Sequence, residues 1–241
     1  MGATSQRVLL WTGLAMSMVY FGAYIFLMGF FPPPSPGMAT AQVVELYTQN
    51  NLQFRIGVVL CLIVSGFNLP MGVVFSIQMA KREKGVPIWA ITQGLAVVLE
   101  TMLFFLPPLF WGVAAFSPER DPAVTQTMHE LAFLTFITPI GAFPLQTIPM
   151  VVVALANQDD PNVAFPRWVG WLTLFVTIAA EPAVAAMIFK SGPFGWNSIF
   201  PFYIPVGIFG PWLAALMFTL LRAIKRQEQM AKTNSQGLTT N

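Results

Sequence analysis

The apolar residues of this chain are gathered into six long runs, separated by shorter and more polar segments. Each run reaches the roughly 20 residues that an α-helix needs to cross about 30 Å of hydrocarbon. A soluble domain has too little interior to bury such runs, so the pattern predicts an all-α, polytopic transmembrane helix bundle. We place the spans at 8–30, 53–79, 88–115, 131–156, 167–190 and 200–224, forming one domain over 1–224, with a polar cytoplasmic tail at 225–241.

Proline occurs inside several of the predicted spans. A proline in a helix removes one backbone hydrogen bond and crowds the preceding turn, but neighbouring helices can satisfy the freed carbonyl inside a membrane bundle. The fourth span carries Pro139, Pro144 and Pro149 at five-residue intervals. We therefore expect kinked spans, and the fourth should be the most distorted.

Charged residues make up only 9% of the 241 positions, against about 25% in ordinary soluble domains. Of the twelve Lys and Arg residues, three fall at one predicted face: Arg55, Arg120 and Lys190. The other nine, at the opposite face, are Arg7, Lys81, Arg82, Lys84, Arg167, Arg222, Lys225, Arg226 and Lys232. Because cytoplasmic loops collect basic residues, both termini are predicted to be cytoplasmic.

The predicted loops and the tail also contain structural signals. The proline-rich segment 31–36 predicts a stiff connector, followed by a short helix over 41–50 that Thr40 would cap; this helix would lie at the interface or, as we favour, pack on the bundle. Asp121 and Pro122 have the residue types of an N-cap and a first helical position, which predicts a helix leading into the fourth span. The tail should be a short helical continuation followed by disorder.

Two glutamates, Glu100 and Glu181, lie deep inside the third and fifth runs. An ionised group at mid-helix costs roughly 2.5–3.5 kcal/mol, so such residues are functional candidates by default. Glu100 lies twelve residues past Ile88 and Glu181 thirteen past Trp168, which places both roughly 18–20 Å from the same membrane edge. No cation is predicted at that depth, so a protonated carboxyl is expected.

Other polar residues inside the spans recur at helical spacing. Gln93 shares a face with Glu100, and Thr177 shares one with Thr173 and Glu181, while Asn68 and Gln146 lie in the second and fourth spans. These side chains should face the interior of the bundle, where they could line a midplane pocket for a ligand or a proton. Alternatively, they only join helices through hydrogen bonds that average about 0.6 kcal/mol each.

A second set of candidates lies near the predicted outer face: Arg55, His129 and Glu130. His129 and Glu130 could relay protons, or the set could admit an anionic headgroup. We favour the simpler interpretation that these residues, with Lys190, are interface anchors whose polar ends reach water.

Several functions are excluded by the residues that the chain contains. One histidine excludes bis-histidine haem and a His-rich metal site, and no G-x-x-x-x-G-K-[ST] motif occurs. No metal site, cofactor or nucleic-acid partner is predicted.

Three loop segments resemble segments of a bacterial six-span integral membrane protein family that has no assigned activity. They are Ser-Pro-Glu-Arg-Asp-Pro at 117–122, Phe-Pro-Arg-Trp-Val-Gly at 165–170 and Gly-Pro-Phe-Gly-Trp-Asn at 192–197. The resemblance covers most of the chain and implies a bacterial inner-membrane protein, but it implies no ligand and no catalytic residue.

Three hypotheses about function remain open at this point. The first is a carrier or binding subunit for a small lipophilic compound, with a midplane polar pocket. The second is an accessory subunit without its own ligand, and the third an intramembrane isomerase or hydratase with a carboxyl as general acid. The enzyme ranks last because no acid/base pair is assembled in the sequence, so its catalytic residues are unassigned. The expected partners are the bilayer, a lipophilic small molecule, and either another copy of the chain or another membrane protein.

Overall fold

The computed structural model describes residues 2–156 and 164–238, with side chains up to residue 233. These ranges contain helices and connecting turns, and no strand. The α-helices are α1 (Ala3–Gly22), α2 (Thr40–Thr48), α3 (Asn51–Val64), α4 (Asn68–Ala80), α5 (Ile88–Phe116), α6 (Pro122–Ile137), α7 (Ala142–Ala156), α8 (Arg167–Ala180) and α9 (Ile204–Leu238).

In the described residues, six helical segments are long and apolar enough to cross a membrane: Ala3–Leu27, Asn51–Ala80, Ile88–Phe116, Pro122–Ala156, Arg167–Met187 and Gly192–Thr233. The prediction of an all-α bundle with six spans is confirmed. The fourth segment begins nine residues earlier than predicted, at Pro122 rather than 131, because α6 starts in the loop.

The spans follow one another around a ring. α1 packs on α3 and α4, α4 packs on α5, and α5 packs on both α6 and α7. α7 then packs on α8, α8 on α9, and α9 returns to α1. The fourth span therefore lies between the third and the fifth, which places α7 against α5, the helix of Glu100, and against α8, the helix that Glu181 follows.

Prolines account for the irregular turns inside the spans. Pro70 has no N–H to donate to the Gly66 carbonyl, and that carbonyl accepts instead from the Leu69 N–H at 3.0 Å. The tightened turn that results separates α3 from α4. In the fifth span, α8 ends at Ala180, two residues before Pro182, and the chain continues as a 3₁₀ helix over Glu181–Met187.

The fourth span is interrupted between Ile137 and Ala142, where α6 ends and α7 begins. Thr138 keeps helical dihedrals and donates to the Leu134 carbonyl, but Pro139 has no N–H to continue the ladder to the Thr135 carbonyl. Pro144 likewise cannot donate to the Ile140 carbonyl, which accepts from Phe143 at 2.9 Å. α5 instead stays helical through Pro107 and Pro108. The Phe104 carbonyl, which Pro108 leaves without its helical donor, accepts a hydrogen bond from the Tyr20 hydroxyl at 3.1 Å.

The predicted loop helices are present. Val43 and Tyr47 on α2 are buried, and α2 packs on α6, so it rests on the bundle as favoured. Its first residue is Thr40, so the predicted Thr40 cap is wrong; the preceding Ala39 N–H donates to the Gln42 side chain at 3.0 Å. The predicted cap at Asp121 is confirmed, since its carboxylate accepts from the Ala123 N–H at 2.9 Å.

Hydrogen bonds place the beginning and the end of the chain at the same end of the bundle, which we call the basic end because Arg7 and Lys81 lie there. Gln78 on α4 donates to Gln6 on α1 at 2.6 Å and exchanges hydrogen bonds with Gln227 on α9. Lys81 donates to Gln227 at 2.6 Å, and its partial burial lowers the pKa of this lysine. α9 continues through residues 225–238, farther than the short helical continuation expected for the tail.

Candidate functional site

Glu100 lies on α5 among polar side chains from neighbouring spans. Asn68, the first residue of α4, hydrogen-bonds the Glu100 carboxyl and is itself 9% exposed. The Asn68 carbonyl oxygen lies 3.0 Å from the Thr101 hydroxyl, and its amide nitrogen donates to the Val97 carbonyl at 3.4 Å. Both polar atoms of Asn68 are thus engaged, and its position relative to α5 is fixed.

The second partner of Glu100 is Gln146 on α7, which is 5% exposed. With its amide nitrogen toward α5, Gln146 donates to Glu100 Oε2 and, at 3.1 Å, to Oε1. An ionised carboxylate can only accept hydrogen bonds, so this orientation suits it. A protonated carboxyl has an O–H to donate, which the same amide would accept with its oxygen turned inward. One glutamine can therefore satisfy either protonation state of Glu100.

These partners reach Glu100 because of the irregular turns described above. Asn68 lies in the turn that Pro70 tightens, and Gln146 lies four residues past the start of α7, just after the interruption of the fourth span. Among the partners that the described residues give to Glu100, none is a cation. The cluster of Asn68, Glu100, Thr101 and Gln146, which we call the Glu100 cluster, therefore joins the second, third and fourth spans without a buried ion pair.

The face of α7 that packs on α8 carries a second polar group at the same level. Thr147, adjacent to Gln146, is completely buried and accepts from the Thr177 hydroxyl of α8 at 2.8 Å. The Trp212 indole N–H of α9 donates to Thr173 at 2.9 Å, one helical turn away on α8. Polar contacts thus extend from the second span to the sixth, with α7 as the central helix.

Glu181 stands apart from the Glu100 cluster. It follows the last residue of α8 and is partly exposed, and no described residue hydrogen-bonds its buried Oε1 atom. The two acids are thus in different environments: Glu100 is enclosed and paired, whereas Glu181 lies at the edge of a distorted turn. Among the described residues, no hydrogen bond joins the two carboxyls.

Gln93 lies seven residues before Glu100 on α5, about 10 Å nearer the basic end. It is completely buried, and its amide oxygen accepts from the Ser76 hydroxyl of α4. The interface between α4 and α5 therefore contains two polar groups, Gln93 with Ser76 and the Glu100 cluster. Of these, Gln93 has a buried amide nitrogen without a hydrogen-bond partner in the described residues.

At the end opposite the basic end, His129 is buried rather than solvent-facing, with 1% of its surface exposed. Its Nδ1 lies 2.7 Å from the Tyr47 hydroxyl, and its ring packs against Phe133 and Trp196. The interpretation of His129 as an anchor that reaches water is therefore wrong, because α2 covers it. Glu130 remains near the surface, 4.0 Å from Lys190 and hydrogen-bonded to Gln126.

Arg55 is exposed at the same end, with its guanidinium 5.2 Å from the centre of the Phe116 ring. Of the residues predicted from sequence, the structure brings together Asn68, Glu100 and Gln146, and leaves Glu181, Gln93 and Arg55 apart. Thr101, Thr147 and Trp212 were missed. Thr101 and Thr147 are sequence neighbours of Glu100 and Gln146, and this adjacency was the available signal.

The fold is that of an integral, multi-pass membrane protein, because six helical segments of this length and apolarity are suited to the hydrocarbon of a bilayer. No family model matches the sequence, and comparisons with curated proteins and with solved structures returned no match.

Proposed function

We propose that the protein binds a small lipophilic compound inside the membrane, as a carrier or as the binding subunit of a larger assembly. The Glu100 cluster is its polar contact. The observation that carries this proposal is the convergence of Asn68, Glu100 and Gln146 from three different spans on one buried carboxyl without a cation. A carboxyl in that setting can offer a hydrogen bond to a neutral polar head, such as a hydroxyl or a carbonyl, while the apolar part of the compound lies among the helices.

The distorted turns next to the cluster support a binding role. Asn68 and Gln146 both follow interruptions of their spans, where fewer backbone hydrogen bonds oppose a local change of geometry. Irregular backbone at membrane depth is found where it is buried in protein or lines a cavity. A ligand that takes the place of Gln146 as the partner of Glu100 requires only a rotation of that side chain and a small opening at the break between α6 and α7.

The test compares two carboxyl-to-amide variants at the same predicted depth. Wild type, Glu100→Gln and Glu181→Gln are purified from membranes in a mild detergent, and co-purifying compounds are identified by native mass spectrometry and by extraction. Loss of one good hydrogen bond, worth about 1.4 kcal/mol, lowers retention roughly tenfold. Glutamine keeps a donor and an acceptor, so the variants that remove the hydrogen bond are Glu100→Met and its matched control Glu181→Met, purified in the same way. We expect the tenfold loss for Glu100→Met alone, and a smaller change for Glu100→Gln. A compound that all of these proteins retain equally contradicts the assignment to Glu100.

An accessory subunit is the second candidate, and the full pairing of Asn68 favours it. If the cluster serves only to join three spans, no compound should co-purify with any of the proteins. Glu100 and Gln146 should then show an energetic coupling in the stability of the bundle, measured with a double-mutant cycle.

We also propose that the basic end faces the cytoplasm, in the inner membrane of a bacterium. The asymmetry of Lys and Arg supports the orientation, and the sequence resemblance supports the source. Lys84→Cys and Glu119→Cys place single thiols at opposite ends of the bundle, on exposed side chains, and the native Cys61 is buried. In intact cells, an impermeant maleimide should label Glu119→Cys and spare Lys84→Cys until the membrane is opened. The reverse pattern would invert the proposed orientation.

A further inference from the structure

An apolar groove of about 260 Å³ runs between α3 and α5, beside the end opposite the basic end. α3 contributes Val58 and Leu62 to its walls, and α5 contributes Pro108 and Gly112. From Arg55 at the mouth to Leu62 the groove spans seven residues of α3, about 10 Å along the helix axis. That length corresponds to about two-thirds of the hydrocarbon of one leaflet.

The groove is maintained by a small residue at the helix contact. A Cβ atom added to Gly112 would lie 3.1 Å from a methyl group of Val58, so a larger residue there would push α3 and α5 apart or fill the space. Val59 and Leu109 line the same groove and are half exposed. The groove is thus open to the lipid along its length, with apolar side chains on both walls.

Two arginines lie at the last turn of α5, where the groove ends. The Arg55 guanidinium lies over the Phe116 ring, and the Arg120 guanidinium donates to the Val113 carbonyl at 2.8 Å. Val113 and Phe116 both line the groove and are three residues apart on α5. Across the described ranges, neither arginine has a carboxylate within ion-pair distance. The mouth of an apolar groove therefore carries two positive charges without acidic partners.

We propose that this groove is the binding site of a phospholipid with an anionic headgroup. One acyl chain lies along Val58, Leu62 and Gly112, and the headgroup phosphate is held by Arg55 and Arg120. Arginine suits this role because its planar guanidinium can make paired hydrogen bonds to a phosphate, and the ring contact holds Arg55 at the mouth. The groove is independent of the Glu100 cluster, so this inference goes beyond the proposed function.

The charge of the headgroup is tested first. Wild type, Arg55→Gln, Arg55→Gln/Arg120→Gln and Lys190→Gln are placed in mixed micelles with equal amounts of phosphatidylglycerol and phosphatidylcholine, and bound lipid is measured by native mass spectrometry. Each cation near an anionic lipid changes its binding about fivefold. The preference of the wild type for phosphatidylglycerol should fall by that factor with each arginine removed. It should persist in Lys190→Gln, which removes a cation that lies at the same end, 4.0 Å from Glu130, and in the described part of the chain bonds no groove residue.

Two further arms locate the acyl chain and identify the anion. Val59→Trp adds bulk to an exposed wall of the groove and should lower retention of both lipids, while an excess of inorganic phosphate should leave bound phosphatidylglycerol in place. Equal binding of the two lipids by the wild type, an unchanged preference in the double variant, or an equal loss in Lys190→Gln overturns the proposal. So does unaltered retention in Val59→Trp, or displacement of the lipid by phosphate. The two proposals can fail separately. If no compound depends on Glu100 but the lipid preference depends on Arg55 and Arg120, only the proposed function is contradicted.

Discussion

Replacement of Glu100 by alanine should destabilise the bundle by about 2–4 kcal/mol, whereas the same replacement at Glu181 should cost less than about 1 kcal/mol. The Glu100 side chain is enclosed, and its loss leaves a cavity together with two amides, of Asn68 and Gln146, that lose a partner. Glu181 is partly exposed and has no hydrogen bond from a described residue. The free energy of unfolding, measured by titration with sodium dodecyl sulfate in mixed micelles, distinguishes the two.

Glu181→Ala is the control for Glu100→Ala, because both variants truncate a glutamate at the same predicted depth to alanine. Glu100→Gln supplies a second control, since it keeps the volume and one carbonyl oxygen for Gln146. It should recover most of the loss. Equal destabilisation by the two alanine variants would mean that the pairing with Asn68 and Gln146 contributes nothing to stability.

A methyl group added at Gly13 should destabilise the contact between the first and second spans by about 1–3 kcal/mol, the usual cost of overpacking. A Cβ atom there would lie 2.6 Å from Met71 Cγ and 2.7 Å from the backbone oxygen of Phe67. A methionine side chain can rotate away, but a backbone carbonyl cannot move without shifting its helix. Thermal unfolding in detergent should show a lower melting temperature for Gly13→Ala.

Gly22→Ala, on the same helix, is the matched control. No atom lies within 4 Å of the position that its Cβ would occupy, and alanine is favoured over glycine in a helix by roughly 0.5–1 kcal/mol. This variant should therefore be as stable as the wild type or slightly more stable. A melting temperature for Gly13→Ala that matches that of Gly22→Ala would show that α1 is free to move away from α4.

The sequence was sufficient for the six spans, because a run of some 20 apolar residues has few structural alternatives. It was also sufficient for the Asp121 cap, since an acceptor followed by proline is a local signal. It did not predict how far α9 extends, because that extension depends on the packing and hydrogen bonds of the neighbouring elements.

The candidate site was only partly predictable for the same reason. Helical spacing predicted that Asn68, Glu100 and Gln146 face the interior of the bundle. Whether they contact one another depends on which spans are neighbours in the ring, and no local sequence pattern indicates that. The sequence placed Glu100 and Glu181 at one depth and left open whether they touch. The fourth span lies between α5 and α8, and the amide of Gln146 is the partner that Glu100 finds there. His129 was misplaced because nothing local indicates that α2 folds over it.

The contact of the last span with the first has a consequence for biosynthesis. Gln6 and Gln78 emerge from the ribosome before Gln227, which completes their hydrogen-bonded group and follows all the other spans in the chain. The ring is therefore open during insertion of the first five spans, and α1 retains an uncovered side until α9 arrives. A nascent chain that stalls before residue 204 should expose that side to membrane proteases, so the bundle closes only after α9 has been made.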